Sequence, residues 1–323
     1  MDKFIFSDGK IKNKYLRLIN REVCKLVIFI FRMLSSSFSG RKTILLGASN
    51  LQFFILMLVV FVTRTSVSIV LHGQVEALLK KNKSFASKLF YLGFKISKYC
   101  NVKFLYLSKH IEKNIIFGKN NFFCKHPLPK RIIKQLNDSD LQAGNSFSSP
   151  ISAAVVGLIR EDKKNCSQIY RLSTKIAPEI CKLSIIGRLH TDFIPEDAST
   201  VVHKTWDSIY SEYEFINAIN DVSIFLYFFN NDQYKATASA TALDAIVHRR
   251  YAFCLPNEAI TSFLDGYPYL VVCKDLSDMA NKLSKFRDTF GVFMNKGHVD
   301  QFKIFLNSFS LESQMERLTG WMD

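Results

Sequence analysis

The sequence predicts an α/β protein made of two Rossmann-like domains that face each other across a cleft. Short apolar runs alternate with helical stretches along almost all of the 323 residues, as in the repeating strand–helix units of parallel sheets. The length suits two domains better than one. The alternation stops between residues 127 and 150, and residues 137–150, rich in Asn, Ser, Asp and Gly, are predicted to form a linker between the halves.

Residues 1–136 are predicted to form the first domain. Brief apolar runs indicate buried strands, and longer stretches with apolar residues every three or four positions indicate helices. The predicted strands cover 3–7, 43–46, 66–71, 102–107 and 122–124, and the predicted helices cover 11–33, 51–62, 75–81, 85–99 and 110–116.

Residues 151–298 are predicted to form the second domain, and residues 299–323 a final helical segment. The same alternation of patterns predicts these elements. The strands cover 152–159, 182–187, 222–228, 251–255 and 269–273, and the helices cover 165–177, 208–219, 239–249, 257–264 and 275–287.

Positive charge is concentrated in the first half of the chain. Residues 1–150 contain 25 basic and 7 acidic residues, whereas the remainder contains 18 and 21. This asymmetry predicts a polyanionic partner for residues 1–150, either an anionic membrane surface or nucleic acid, unless the charge is only a solvated surface. Because no nucleic-acid-binding module is recognisable, we favour the membrane and keep nucleic-acid binding as an alternative function.

The apolar runs are too short to cross a bilayer, and the N-terminus does not read as a signal peptide. The two longest runs cover 26–34 and 53–62, whereas a membrane-spanning helix needs about 20 apolar residues. The seven cysteines are scattered and form no C-x-x-C pair, which is typical of reduced thiols. We therefore expect a cytoplasmic protein that lies against the inner face of the membrane.

Several well-known chemical motifs are absent from the sequence. It contains no G-x-G-x-x-G, G-x-x-x-x-G-K-[ST], G-x-S-x-G or H-E-x-x-H pattern, and no cluster of residues at metal-ligand spacing. The sequence therefore predicts neither a bound cofactor nor a metal ion.

The most informative stretch covers residues 232–246. It follows the apolar run 222–229, and the small residues 238–241 begin the predicted helix. Unpaired N–H groups and the positive end of the helix dipole suit a phosphate group at such a position. Asp244 falls one turn into the helix and Tyr234 lies in the preceding loop. An ordinary capped helix without a ligand is the alternative interpretation.

Polar residues follow several predicted strands at their carboxyl ends, where open parallel sheets bind ligands. Arg160 and Lys163 follow the first strand of the second half and suit a diphosphate. Asp8 and His72 follow strands of the first half, and either is a candidate for orienting or deprotonating an acceptor hydroxyl. We expect these groups to face one cleft between the domains.

The second half resembles the donor domain of GT-B glycosyltransferases, in the broad group that includes family 4, and the first half is similar to their acceptor domain. The second-half resemblance rests on residues 155–160 with Lys163, 183–188, 214–215, 221–222, 232–234, 238–241 and 244–246. In the first half, it rests on the strand ends at 71–73 and 107–108.

This resemblance implies metal-independent transfer of a sugar from a nucleotide-sugar donor to a glycan acceptor, with retention of anomeric configuration. We expect the acceptor to be lipid-linked, as in the synthesis of cell-surface polysaccharides. The donor-binding residues implied are Gly157, Arg160, Lys163, Gly187, Arg188, Tyr234, Ser239, Ala240, Thr241 and Asp244, and the acceptor-side residues are Gly73, Glu76 and Ser108.

The chain departs from the family pattern at two positions. Many relatives carry two glutamates separated by seven residues; here Asp244 occupies the second position and Ala236 the first. The usual Ser-Gly turn is Ser239-Ala240. The missing first carboxylate keeps open the alternative of a glycosyltransferase-like scaffold without activity.

Overall fold

The fold is described from a computed structural model of the 323-residue chain. The structure describes residues 14–38, 43–71, 73–79, 84–114, 121–138, 150–206, 211–232, 234–235, 237, 240–286, 288 and 296–322. The predicted strand at 3–7 and most of the predicted linker lie outside these residues.

Helices and strands alternate through both halves of the chain, as the sequence predicts. The helices are α1 Lys14–Phe38, α2 Asn50–Thr63, α3 Glu76–Leu79, α4 Phe85–Ser97, α5 Lys109–Asn114, α6 Lys130–Asp138, α7 Glu161–Lys164, α8 Gln168–Ser173, α9 Glu212–Ile219, α10 Ala240–Val247, α11 Glu258–Phe263, α12 Leu276–Ser284, α13 Lys296–Asn307 and α14 Leu311–Met322. The strands are β1 Thr43–Leu45, β2 Val67–Leu71, β3 Val102–Tyr106, β4 Asn121–Phe123, β5 Ile151–Ile159, β6 Cys181–Leu189, β7 Val201–Trp206, β8 Ile224–Tyr227, β9 Tyr251–Cys254 and β10 Leu270–Val272.

Contacts between residues divide the described chain into two compact units, each built on its own sheet. The first unit comprises the described residues of 1–106, 117–122 and 318–323, and the second those of 107–116 and 123–317. These boundaries differ from those of the predicted domains, which remain a prediction.

The first unit contains a four-stranded sheet in the order β1-β2-β3-β4, in which β1, β2 and β3 pair in parallel. Strand β2 is buried along its whole length. The rings of Phe53 in α2 and Phe90 in α4 lie 4.6 Å apart, so both helices pack on the same core. The end of α14 also belongs to this unit, since Ser68 donates a hydrogen bond to the carbonyl of Trp321.

The second unit contains a six-stranded parallel sheet in the order β10-β9-β8-β5-β6-β7. Strand β5 lies inside the sheet and pairs with β6 over nine residues. The apolar runs of β5 and β8 are almost entirely buried, because helices cover both faces of such a sheet. The carboxyl ends of these strands hold most of the predicted donor-binding residues.

Helix α6, strand β7 and the single-turn helix α7 were not predicted from the sequence. Helix α6 lies where the apolar period was expected to stop, and Ile133 and Leu136 alone bury their side chains there. Strand β7 lies at the edge of its sheet, and after Val201 its side chains are exposed or half-buried. The apolar patterns of α6 and β7 are weak in the sequence because each of these elements buries few residues.

Among the described residues, no helix is both long enough and apolar enough to cross a membrane. Helix α2, the most apolar, has 14 residues, whereas a span needs about 20.

Candidate functional site at the carboxyl edge of the six-stranded sheet

Two glycines of neighbouring strands form the floor of the candidate site. Gly157 of β5 and Gly187 of β6 are paired in register, and their φ angles are +90° and +144°. A Cβ added at Gly187 would lie 1.8 Å from the carbonyl oxygen of Gly157. Since no side chain fits there, β5 and β6 approach closely through backbone alone, and both glycines are buried.

The first turn of α10 packs directly over this floor. A Cβ added at Gly157 would lie 2.8 Å from Cγ2 of Thr241. The hydroxyl of Tyr227 donates a hydrogen bond to the carbonyl oxygen of Thr241 at 2.8 Å, which ties α10 to β8. The start of the helix therefore lies against the glycine floor. Ser239 and the side chain of Ala240 lie outside the described residues.

Lys164 brings a buried cation to the same place. Its Nζ lies 3.9 Å from the position that a Cβ of Gly157 would occupy. Burial lowers the pKa of its ammonium group, and the nearby Asp244 carboxylate opposes that shift. Lys163 was the lysine predicted from the sequence. Lys163 and Lys164 are adjacent in the short helix α7 and identical in type, so residue type could not distinguish them.

Asp244 lies in α10, close enough to Lys164 for their charges to interact. Burial raises the pKa of its carboxyl group to about 6, and Lys164 opposes the shift. The predicted residue Lys163 lies at the same end of β5, where its backbone carbonyl accepts a hydrogen bond from the backbone N–H of Asn230. The site thus combines two closely packed glycines, a helix start, a buried lysine and a buried carboxyl group.

Arg160 lies at the end of β5 but is held by carboxylates. Its guanidinium donates two hydrogen bonds of 2.7 Å to Asp162, and Asp192 lies 3.8 Å away. Asp192 also contacts His190 at 2.6 Å. To contact a diphosphate, Arg160 must exchange at least one of these carboxylates for the phosphate.

The carboxyl group of Asp192 has a lowered pKa in this network. Burial alone would raise the pKa of its carboxyl group, but hydrogen bonds from the backbone of Asp162 and from His190 lower it to about 2. The sequence analysis missed His190 and Asp192. The rule that ligands bind at the carboxyl ends of strands would have found them, because both closely follow β6. The predicted residue Arg188 lies at the same end of β6, and its side chain is exposed.

Tyr234 is buried in the loop before α10, with its ring 4.3 Å from that of Phe229. Its backbone carbonyl accepts a hydrogen bond from Asn257 at 3.5 Å, and the same amide donates to Asn231 at 2.9 Å. These contacts hold the loop over a cavity of about 500 Å³ beside the ends of β8, β9 and β10. The cavity is lined by Asn231, Tyr234, Lys235, Pro256, Asn257, Glu258, Thr261 and Val272.

The predicted first-half residues lie in different surroundings. Asp8 and His72 lie outside the described residues. Gly73 begins a short 3₁₀ turn directly after β2, and Glu76 is buried at the start of α3. Ser108 is buried in the second unit, where its hydroxyl lies 2.6 Å from Nδ1 of His110.

Similar folds occur among solved structures, although no protein-family model matches the sequence and a comparison with curated proteins finds no similar sequence. HepE (Alr3699) of Anabaena, in complex with UDP-glucose, is 7 % identical with a TM-score of 0.57, covering 85 % of this chain and 77 % of HepE. Sucrose-phosphate synthase of Thermosynechococcus elongatus is 10 % identical with a TM-score of 0.57, covering 91 % and 77 %.

A third similar structure is the α,α-trehalose-6-phosphate synthase of Burkholderia multivorans. It is 9 % identical with a TM-score of 0.55, and the match covers 92 % of this chain and 75 % of that enzyme. At such low identity the likeness concerns the fold alone. With its two α/β units built on parallel sheets, the chain has the fold of the GT-B glycosyltransferases.

Proposed function

We propose that the protein transfers a sugar from a nucleotide-sugar donor to a glycan acceptor. The observation that carries this proposal is the glycine floor at Gly157 and Gly187, which lies against the start of α10 and beside Lys164. A cation and a helix N-terminus beside closely packed backbone suit a diphosphate. The Anabaena HepE structure, whose fold is similar, contains UDP-glucose.

In the proposed reaction, the chain stabilises the leaving nucleoside diphosphate. Negative charge develops on the diphosphate as its bond to the sugar breaks, and fixed donors aimed at that charge lower the barrier. Lys164 and the first N–H groups of α10 supply them. A bound diphosphate would favour the charged form of Lys164 and so counteract the effect of burial on its pKa. Arg160 adds a second cation once it releases a carboxylate.

Asp244 is proposed to accept hydrogen bonds from the donor ribose. Its position one turn into α10 matches the second carboxylate of the family pattern, and its burial beside Lys164 fits a group that exchanges water for a ligand. Lys163, Arg188, Tyr234 and Ser239 remain proposed donor-binding residues. Metal independence and retention of configuration are likewise proposed from the resemblance.

The acceptor is proposed to be a lipid-linked glycan used for cell-surface polysaccharide synthesis. The excess of 25 basic over 7 acidic residues in 1–150 supports a location at the inner face of an anionic membrane. His72 or Asp8 would orient or deprotonate the acceptor hydroxyl, with Gly73, Glu76 and Ser108 near the acceptor. A donor-binding scaffold without activity is the second candidate, favoured by Ala236 in place of a glutamate.

Product analysis separates the two candidates. The purified chain is incubated with a panel of nucleotide sugars and a lipid extract that contains lipid-linked glycans, and both the nucleoside diphosphate and the extended lipid are measured by mass spectrometry. An active transferase produces the two in equal amounts. If a nucleotide sugar binds but neither product forms with any donor and acceptor, the scaffold is the correct interpretation.

We expect Asp244→Asn to weaken UDP-glucose binding about tenfold at pH 8, equivalent to about 1.4 kcal/mol. The ionised carboxylate accepts hydrogen bonds more strongly than the neutral acid or the amide. With a carboxyl pKa of about 6, the unaltered chain should bind more tightly as the pH rises from 5 to 8, whereas the variant should show a flat profile. Calorimetric titration measures both, and equal affinities at pH 8 would contradict the ribose role.

The same carboxyl group provides a second measurement without ligand. Because burial raises its pKa above the ordinary value, the folded chain holds the Asp244 proton more tightly than the unfolded chain. This contribution to stability is present at pH 4 and below and is lost as the pH rises through about 6. Asp244→Asn should remove this part of the pH dependence of thermal unfolding.

A further inference from the structure

Helices α2 and α4 of the first unit lie side by side and present one continuous face. A Cβ added at Gly93 of α4 would lie 2.9 Å from Cα of Phe54 in α2, so the two backbones approach closely there. At the ends of the two helices, the Cys100 thiol lies 3.8 Å from the carbonyl oxygen of Met57. The inner sides of both helices pack on the sheet through buried residues such as Phe53 and Phe90.

The outer face of this helix pair exposes large apolar side chains. In α2, Phe61 is 51 % exposed and Val62 is 78 % exposed. In α4 and just after it, Phe85 and Tyr99 are 78 % and 81 % exposed, and Leu92 lies midway between them at seven-residue spacing. Surface patches of this kind mark sites of interaction with a protein or a membrane.

Between the C-terminal ends of α2 and α4 lies a groove, defined by Leu58, Phe61, Lys95, Ile96, Lys98 and Tyr99, with a volume of about 510 Å³. The groove is apolar apart from its two lysines. Lys95 lies over the ring of Tyr91, with Nζ 4.8 Å from the ring centre. Long lysine side chains can lie along apolar surface and keep their ammonium groups at its border.

Among the described residues that line the groove, both charged side chains are lysines. Neither α2 nor α4 contains an Asp or a Glu. Arg64 directly follows α2, and Lys88, Lys95 and Lys98 lie in or directly after α4. An apolar surface bordered by these cations is complementary to the interface of an anionic bilayer, which offers apolar chains next to phosphate groups.

From these observations we propose that the groove and the exposed face of α2 and α4 dock the protein on the surface of an anionic lipid bilayer. Phe61, Val62 and Tyr99 enter the boundary between head groups and acyl chains, and Lys95 and Lys98 contact lipid phosphates. At 14 and 13 residues the two helices lie on the bilayer and do not cross it. This docking specifies the membrane location within the proposed function and does not depend on the donor site.

The topology of the first unit places this surface away from its predicted ligand edge. Helices α2 and α4 end just before β2 and β3 begin, so the groove lies at the amino edge of the sheet. Gly73 and Glu76 follow the carboxyl end of β2. A bilayer docked on the groove therefore leaves the carboxyl edge of this sheet open to an acceptor.

Sedimentation of the full chain with vesicles of phosphatidylglycerol and phosphatidylcholine tests the proposal. We expect the unaltered chain to sediment with these vesicles and to stay in solution with phosphatidylcholine alone. Both Phe61→Ser/Tyr99→Ser and Lys95→Glu/Lys98→Glu should weaken partitioning at least tenfold. The first variant keeps every charge, so its loss isolates the apolar contribution.

Matched controls come from the second unit. Ile304→Ser removes an apolar side chain that is 72 % exposed, and Lys175→Glu/Lys182→Glu makes the same charge change at exposed positions outside residues 1–150. Both controls should sediment like the unaltered chain. If the controls lose binding as strongly as the groove variants, or if the unaltered chain sediments with neither kind of vesicle, the proposal is wrong.

Two further measurements complete the test. If ultracentrifugation without lipid shows dimers that depend on Phe61 and Tyr99, a second copy fills the groove and the proposal is overturned. Circular dichroism and nucleotide-sugar calorimetry on the same variants keep docking separate from donor binding. Docking is supported by a groove variant that remains folded and binds the nucleotide sugar normally but no longer sediments with vesicles. If no chain binds a nucleotide sugar, that result counts only against the proposed transferase.

Discussion

Lys164→Met is expected to lower kcat/KM for the nucleotide sugar roughly 100- to 1000-fold, or about 3–4 kcal/mol of transition-state stabilisation. The Lys164 ammonium group lies next to Gly157 and the start of α10, where the proposed leaving group gains charge. Methionine keeps most of the volume of the buried side chain, so packing changes little. Steady-state kinetics measures the effect, and thermal unfolding checks that the variant is folded.

Lys163→Met is the matched comparison, because it removes the same charge one residue earlier in α7. We expect it to cost less than Lys164→Met. If Lys163→Met instead causes the larger loss, the sequence-based choice of lysine is correct and the placement of the diphosphate beside Lys164 is wrong. Normal turnover in both variants would remove the diphosphate from this end of β5 altogether.

Gly187→Ala is expected to lower the free energy of unfolding by about 2–3 kcal/mol. Its Cβ would meet the backbone oxygen of Gly157 at 1.8 Å, and its φ of +144° disfavours any other residue. The strand must shift, which also displaces the glycine floor. The melting temperature should fall by roughly 5–10 °C, and nucleotide-sugar affinity should fall with it.

Gly266→Ala serves as the control for this prediction. Gly266 also has a positive φ, of +82°, but its added Cβ would meet only the ring of Phe305 at 3.7 Å. It should therefore cost about 1 kcal/mol for backbone strain alone. Denaturant unfolding of both variants measures the difference, and equal losses would show that the close approach at Gly187 is not rigid.

The alternation of elements was predictable because the inner strands of a parallel sheet are buried on both faces. The run 224–227 is continuously apolar for this reason, and the run 151–159 is apolar apart from Ser152. Two helix starts carry a capping box, Ser49 with Gln52 at α2 and Ser211 with Glu214 at α9, although the helix of α9 was predicted to begin at residue 208. The order of the strands had no such local signal, since it depends on pairings between distant residues.

The candidate site was predictable in position but not in detail. The rule that ligands bind at carboxyl strand ends led to Gly157 and Asp244. It could not show that Lys164 is the lysine beside Gly157, because α7 makes a single turn whose orientation depends on tertiary packing. Nor could it show that Arg160 is paired with Asp162, since ion pairs depend on side-chain geometry.

The central claim is that the carboxyl edge of the six-stranded sheet binds a nucleotide sugar. A thermal-shift panel of UDP-, GDP-, ADP- and TDP-sugars on the unaltered chain and Lys164→Met tests it most directly. A ligand at 100 times its Kd stabilises the folded chain by about 2.7 kcal/mol. We predict that at least one nucleotide sugar raises the melting temperature of the unaltered chain by several degrees and leaves that of the variant unchanged. A folded, unaltered chain that no nucleotide sugar stabilises, or an equal rise in both chains, would contradict the claim.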